Sequence, residues 1–227
     1  MTSKNNTGVS RRGFLTSALT FGMGAAALGL SGCGSPRSFE AEAAENVIDG
    51  GEYDIIVVGA GGAGMAATVG AVDQGAKVLL LEKMPVAGGN TVCAEGGMNA
   101  CCTKFQKAAG IKDSVDLMSA DTYAGGHEKG NLELIRHMCA GSSDAIDWLD
   151  SMGITLSKLG ASGGASVKRI HRPESGEAVG KYIVKGMTEQ CRQRGVAAVC
   201  NTKVEEILMQ DGKVAGVRAT NRLIASR

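Results

Sequence analysis

Proline is scarce, with 3 residues in 227, and aromatic residues make up only 4 % of the chain, with a single tryptophan. So little proline argues against a polyproline or disordered chain, and no Gly-X-Y period supports a collagen helix. Histidine is almost as rare, at 3 residues, and the net charge is +1 without any basic block. That gives no electrostatic footprint for nucleic acid. The 7 cysteines lack C-x-x-C-H, iron–sulfur and zinc spacing, which removes attached c-type haem and metal clusters from consideration. What the chain does hold is glycine: 34 residues, about twice the ordinary share. With 44 % hydrophobic and 21 % charged residues it is globular, and the glycines point to tight turns, close backbone approaches and a phosphate cradle.

The first 32 residues read as an address. Ser10-Arg11-Arg12-Gly13-Phe14-Leu15 opens an apolar run to Leu30, too short to span a membrane and right for a signal-peptide core. The paired arginines match a twin-arginine export signal, departing at Thr16. Leu30-Ser31-Gly32-Cys33 is similar to a bacterial lipobox, so Cys33 is the expected lipidation site and the expected location is extracytoplasmic, tethered to the cell membrane. Loss of residues 1–32 removes Lys4, Arg11 and Arg12 and no acid, leaving 21 basic against 23 acidic residues. Membrane attachment would then rest on lipid and not on charge. Residues 33–50 are small, polar and acidic, as a linker is.

The body, 51–227, opens as a dinucleotide fold. Asp54–Val58 reads as a buried parallel strand, Met65–Asp73 as a helix and Lys77–Leu81 as a second strand. Between the first two lies Gly59-Ala60-Gly61-Gly62-Ala63-Gly64, a full G-x-G-x-x-G. Gly59 permits the turn, Gly61 lets backbone approach a pyrophosphate, and Gly64 lets helix and strand pack closely. The helix N-terminus offers N–H groups to the phosphates. Glu82, 18 residues beyond Gly64, stands where a carboxylate accepts from ribose hydroxyls.

Further along, helical spacing is expected over Asp113–Tyr123, Leu132–Ala140, Ser143–Met152 and Val179–Arg194. Ser142 or Ser143 is expected to cap the third of these, and Gly153 to stop it. Trp148 is read as a core anchor. Val196–Cys200 is expected as a third parallel strand, and Lys203–Met209 with Lys213–Ala219 as a hairpin turning at Asp211-Gly212. His127 and His137 are read as structural, and the six cysteines after Cys33 as free.

Met84-Pro85-Val86-Ala87-Gly88-Gly89-Asn90-Thr91 and Ala94-Glu95-Gly96-Gly97-Met98-Asn99-Ala100 form a pair of glycine-rich loops. Together with Gly163-Gly164-Ala165-Ser166-Val167, Arg169 and His171-Arg172-Pro173, they resemble the fumarate reductase and succinate dehydrogenase flavoprotein family, in its soluble exported type. The resemblance implies an α/β, Rossmann-like FAD-binding domain with a parallel sheet, helices and a β-hairpin, incomplete relative to the family. It implies FAD contacts at Gly59, Gly61, Ala63, Gly64, Glu82, Lys83, Gly89, Asn90, Thr91, Glu95, Gly96, Gly97 and, through its backbone, Val204; the His171-Arg172 stretch is expected on the flavin side. The family reaction is hydride transfer from reduced FAD to an activated alkene such as fumarate or another α,β-unsaturated carboxylate, with an external electron donor. No A-T-G-G strand or capping domain follows Thr220, so no catalytic residue carries over. The expectation is the FAD-binding part of an exported oxidoreductase, the alternative a non-catalytic tethered flavin-binding module or an inactive truncated product.

Overall fold

The computed structural model describes residues 51–221. The signal peptide over 1–32, Cys33 and the linker over 33–50 lie outside the described residues. The fold starts from two short apolar strands, β1 (Ile55–Val58) and β2 (Val78–Leu81), parallel and in register from Ile55 opposite Val78 to Val58 opposite Leu81. Parallel neighbours need a crossover, supplied by helix α1 (Gly62–Asp73), which buries Met65, Thr68 and Val69. The helix begins three residues before the expected Met65 because the glycine loop itself forms its first turn.

A 3₁₀ turn (Gly89–Cys93) follows, then β3 (Met98–Asn99) and α2 (Lys104–Ala108). Next come α3 (Val115–Gly125), α4 (Leu132–Ala140) and α5 (Ser142–Ser151). Two three-residue strands, β4 (Lys158–Gly160) and β5 (Ile170–Arg172), join β3 in an antiparallel sheet ordered β3-β5-β4. Helix α6 (Val179–Gln193) leads to the hairpin β6 (Thr202–Gln210) and β7 (Lys213–Asn221), which turns at Asp211-Gly212, both at positive φ. The main core gathers Met65, Val69 and Leu80 with Ile146, Leu149, Ile154, Leu156, Val184 and Met187, and Trp148 packs half-buried against it. A smaller cluster joins Cys101, Met118 and Cys139.

Two sequence expectations need correction. Val196–Cys200 is not a strand; only Val199 bridges to Leu81, with its N–H donating to the Leu80 carbonyl and its carbonyl accepting from Glu82 N–H. The Val196 N–H is already committed to the Cys191 carbonyl at the end of α6, and Asn201 at φ 56° turns the chain into the hairpin. Ser142 and Ser143 do not cap α5, whose cap is Gly141. The Ser142 hydroxyl instead donates to the Cys139 carbonyl (2.8 Å) and accepts from Cys101 N–H (3.1 Å), tying α4 to the stretch after β3. Gly153 ends that helix at φ 77°, as expected. The six described cysteines are free. Burial pushes the Cys101 thiol up to about 11, as an unreactive core thiol requires.

Arg169, 2 % exposed, is the buried charge of this half of the molecule. Its guanidinium is bidentate on Asp113 (Nε and Nη2, each 2.8 Å) and also pairs with Asp121. Asp113 accepts in addition from Gln106 Nε2 (2.9 Å) and Ser114 N–H (2.8 Å). Burial works against charge on Asp113, but these hydrogen bonds outweigh it and hold its carboxyl below the ordinary range. Asp121, bonded by Arg169 and by Ser166, is pulled down to about 2.

Replacing Arg169 with Met is expected to cost on the order of 3–5 kcal/mol in urea unfolding, since it strands two carboxylates, one fully enclosed; a loss under about 1 kcal/mol would refute this. Because both aspartates titrate below their unfolded value of 3.8, their contribution is intact above that pH and disappears as pH falls toward 2. Unfolding scans from pH 5 to pH 2 should show that loss in the wild type and little of it in Arg169→Met.

Candidate functional site

The site grows from the carboxyl ends of β1 and β2, where an open parallel sheet presents its ligand crevice. Gly59, at φ 103°, turns the chain out of β1 while its N–H donates to the Leu81 carbonyl (2.7 Å). Gly64 cannot be another residue without movement, because a Cβ there would stand 1.8 Å from the Gly59 carbonyl oxygen. The turn and the first helical turn are therefore in direct backbone contact. No side chain caps α1 at Gly61, and no acid lies in its first turn; apart from the Gly62 N–H, which the Thr91 hydroxyl accepts, its first donors and partial positive charge are left for an anion.

Glu82 is 5 % exposed and already engaged. One carboxylate oxygen accepts from Ala60 N–H inside the glycine loop and the other from Met84 N–H, each at 2.8 Å. It thus ties the loop to the exit of β2, and its remaining lone pairs are what a ribose would use. Lys83 follows it, exposed.

The second glycine loop is drawn onto the first. Gly88 donates to the Ala60 carbonyl (2.8 Å) and bridges Gly61, while the Thr91 hydroxyl accepts from Gly62 N–H (3.0 Å). A Cβ on Gly89 would be 3.4 Å from the Gly61 Cα. Gly89 and Asn90 are exposed at the rim and Thr91 half-buried beneath them.

The third loop, with Glu95 and Gly96 exposed, is held at both ends. Gly180 N–H, at the start of α6, donates to the Ala94 carbonyl (2.8 Å), and a Cβ on Gly180 would stand 1.9 Å from the Thr91 carbonyl. At the other end Gly97 (φ 144°) lies under Ile170 and Arg172 of β5. Val204, half-buried on β6, sits two residues beyond Thr202, whose N–H donates to the Glu82 carbonyl (2.8 Å).

The structure therefore brings Gly59, Gly61, Ala63, Gly64, Glu82, Gly89, Asn90 and Thr91 into one cluster. Glu95–Gly97 and Val204 reach its neighbourhood through backbone ties, and Lys83 enters only by adjacency to Glu82. Sequence reasoning had no role for the Gly180 contact, which leaves no local motif. The Gly88 bridge was signalled only by its Gly-Gly pair.

His171 is fully buried, with Nε2 2.8 Å from the Thr103 hydroxyl and Nδ1 2.7 Å from the Arg169 carbonyl. Since a carbonyl only accepts, Nδ1 carries the proton and Thr103 donates to Nε2. Burial lowers its pKa below the ordinary 6.5 and favours this neutral form. It braces the small sheet, and its ring faces away from solvent. His127, at φ 53°, and His137 are exposed.

Free N–H donors, glycines at close approach, one acid beside the loop and none in the first turn of the helix fit an anionic dinucleotide. Comparison with known proteins agrees: residues 54–226 match the FAD_binding_2 family, described as the FAD binding domain. The chain belongs to that family. FAD is accordingly its cofactor. Over 187 residues, 82 % of this chain, it is 45 % identical to the NADH:fumarate oxidoreductase of Klebsiella pneumoniae (strain 342). Over 165 residues, 72 % of the chain, it is 44 % identical to a fumarate reductase (cytochrome) of Shewanella frigidimarina. The chain spans 20 % and 29 % of those two relatives' lengths. The open conformation of a flavocytochrome c3 fumarate reductase superposes with a TM-score of 0.68 at 34 % identity, covering 74 % of this chain and 31 % of that one.

Glu82→Gln should weaken FAD binding by about tenfold, because an amide presents one acceptor oxygen where two N–H groups need partners. Thr91→Val should weaken it by about fivefold by releasing Gly62 N–H from its acceptor. Quenching of FAD fluorescence in a titration measures both, and unchanged affinity in both would contradict the cradle described here.

Proposed function

We propose that this chain is the FAD-binding part of an exported flavoprotein oxidoreductase that reduces an activated alkene, fumarate or a related α,β-unsaturated carboxylate. The observation that carries the reading is the junction of the two glycine loops, Gly61 on Gly88 and Gly62 N–H on Thr91, with Glu82 locked behind them. The relatives' names supply the reaction class: fumarate, urocanate and acrylate reductases all saturate a carbon–carbon double bond beside a carboxylate or its equivalent. Bound FAD supplies hydride from N5 of its reduced form.

This chain's residues bind and orient. The N–H groups at the start of α1 would hold the diphosphate, Glu82 would accept from the ribose, Asn90 with Glu95 and Gly96 would border the flavin, and Val204 would meet the adenine through its backbone. Turnover would need an external electron donor to reduce the bound flavin.

Export rests on Ser10-Arg11-Arg12 and the apolar run to Leu30, and the membrane tether on Cys33. Expression with the leader intact should place the protein outside the cytoplasm, and Arg11→Lys with Arg12→Lys should retain it inside. Globomycin, which blocks lipoprotein signal cleavage, should leave the leader attached.

The decisive experiment is reconstitution. The purified full chain should retain yellow FAD with an absorbance ratio near one flavin per chain, and failure to bind FAD at micromolar concentration would refute the reading.

A further inference from the structure

Arg172 stands in contrast to Arg169, three residues earlier on the same stretch. Arg169 is matched by two aspartates, whereas Arg172 pairs with no carboxylate among the described residues, and its Nε is buried without a hydrogen-bond partner. That N–H is enclosed without a partner, while the rest of the half-exposed guanidinium is left to a group outside the chain.

The register shows what surrounds it. In the sheet ordered β3-β5-β4, Arg172 pairs directly with Lys158 of β4. On its other side its Cγ lies 3.0 Å from where a Gly97 Cβ would be. The row across the sheet is therefore Gly97, Arg172, Lys158, and the next row on the same face is Asn99, Ile170, Gly160. His171 and Met98 occupy the opposite, buried-histidine face. Two like charges directly opposite on neighbouring strands repel. No acid among the described residues pairs with either; Glu174, just beyond β5, takes a hydrogen bond from the Ser157 hydroxyl (3.1 Å). Ile170 packs over Gly97 beside the pair, and Asn99, exposed on the same face, adds an amide donor.

We propose that Arg172 and Lys158, with Asn99, form an oxyanion-binding site on this face of the small sheet, taking a phosphate or carboxylate group presented beside the Gly96–Gly97 loop. The planar guanidinium supplies a directional fork and Lys158 a second, mobile charge. The anion relieves the cross-strand repulsion and accepts from the accessible Nη groups of the guanidinium. The site extends the proposed FAD function, since that loop borders the cofactor. Its oxyanion comes either from the diphosphate of FAD or from a separate carboxylate ligand.

The test titrates the full chain with FAD, inorganic pyrophosphate and fumarate, by calorimetry, in wild type, Arg172→Gln, Lys158→Gln and Arg172→Lys. A loss on the order of tenfold or more in FAD and pyrophosphate affinity in both glutamine variants, with fumarate unchanged, supports the site with diphosphate as its ligand. The same loss confined to fumarate supports it with a carboxylate. Partial recovery in Arg172→Lys, with thermal melts within a few degrees of wild type, separates charge from folding. Unchanged affinity for all three ligands in both glutamine variants overturns the proposal. If wild type binds pyrophosphate or fumarate but not FAD, the oxyanion site stands and the flavin reading falls.

Discussion

Everything at the carboxyl end of the parallel pair depends on the Glu82 carboxylate. It is buried, and its two oxygens are shared between Ala60 N–H in the glycine loop and Met84 N–H in the chain leaving β2. Charge-assisted bonds to backbone N–H groups are among the stronger hydrogen bonds available. They also stiffen both segments against each other. Without that carboxylate, the buried Ala60 N–H would be left unmet in the turn where backbone must come close to a phosphate, and Met84 N–H would lose its partner. The same segment then takes the hairpin, because Glu82 and Met84 offer their carbonyls to Thr202 and Asn201. One short stretch thus positions the glycine loop on one side and β6 on the other.

Around this anchor, tightness is achieved with backbone and not with large side chains. Gly64 against the Gly59 carbonyl and Gly180 against the Thr91 carbonyl leave no room for even a methyl group. These contacts hold α1 and α6 close to the loops they serve, and the core beneath is filled by Met65, Val69, Val184 and Met187. That explains why so glycine-rich a chain can be well packed. Gly64 and Gly180 occupy crossings, and the conformational freedom they bring is removed by the backbone they touch.

Much of this was legible from the sequence where the signal is local. The β1–α1–β2 unit, the long amphipathic helices and the Asp211-Gly212 hairpin each have a periodicity or turn chemistry of their own. The β3-β5-β4 sheet had none, since strands of two or three residues are too short to establish alternation. The apolar, β-branched look of Val196–Cys200 misled for a different reason. Its hydrophobicity serves packing against the core by Val196 and Ala198, while its hydrogen bonds are split between the end of α6 and one bridge to β2. In the site, Glu82 was found by spacing, but its grip on Ala60 and Met84 was not, because hydrogen bonds between loops distant in sequence leave no pattern. Ser142 is the same case: its type suggests a cap, and its tertiary neighbours recruited it to tie Cys101 to Cys139.

The two halves of the molecule solve the problem of buried charge in opposite ways. In the half built on α2 and α3, Arg169 is closed off by Asp113 and Asp121, and the network is complete within the chain. Such a triad fixes register at little net gain in stability. Along the glycine loops, by contrast, compensation is partial: Glu82 bonds Ala60 N–H in the first loop, but no acid lies in the first turn of α1, and Arg172 faces Lys158. A fold that neutralises one arginine so fully, three residues from another that it leaves bare, is not short of acids. The asymmetry follows the line of the Gly61–Gly88 junction and the Gly96–Gly97 loop. An anionic ligand laid along that line completes the electrostatics that the chain leaves open.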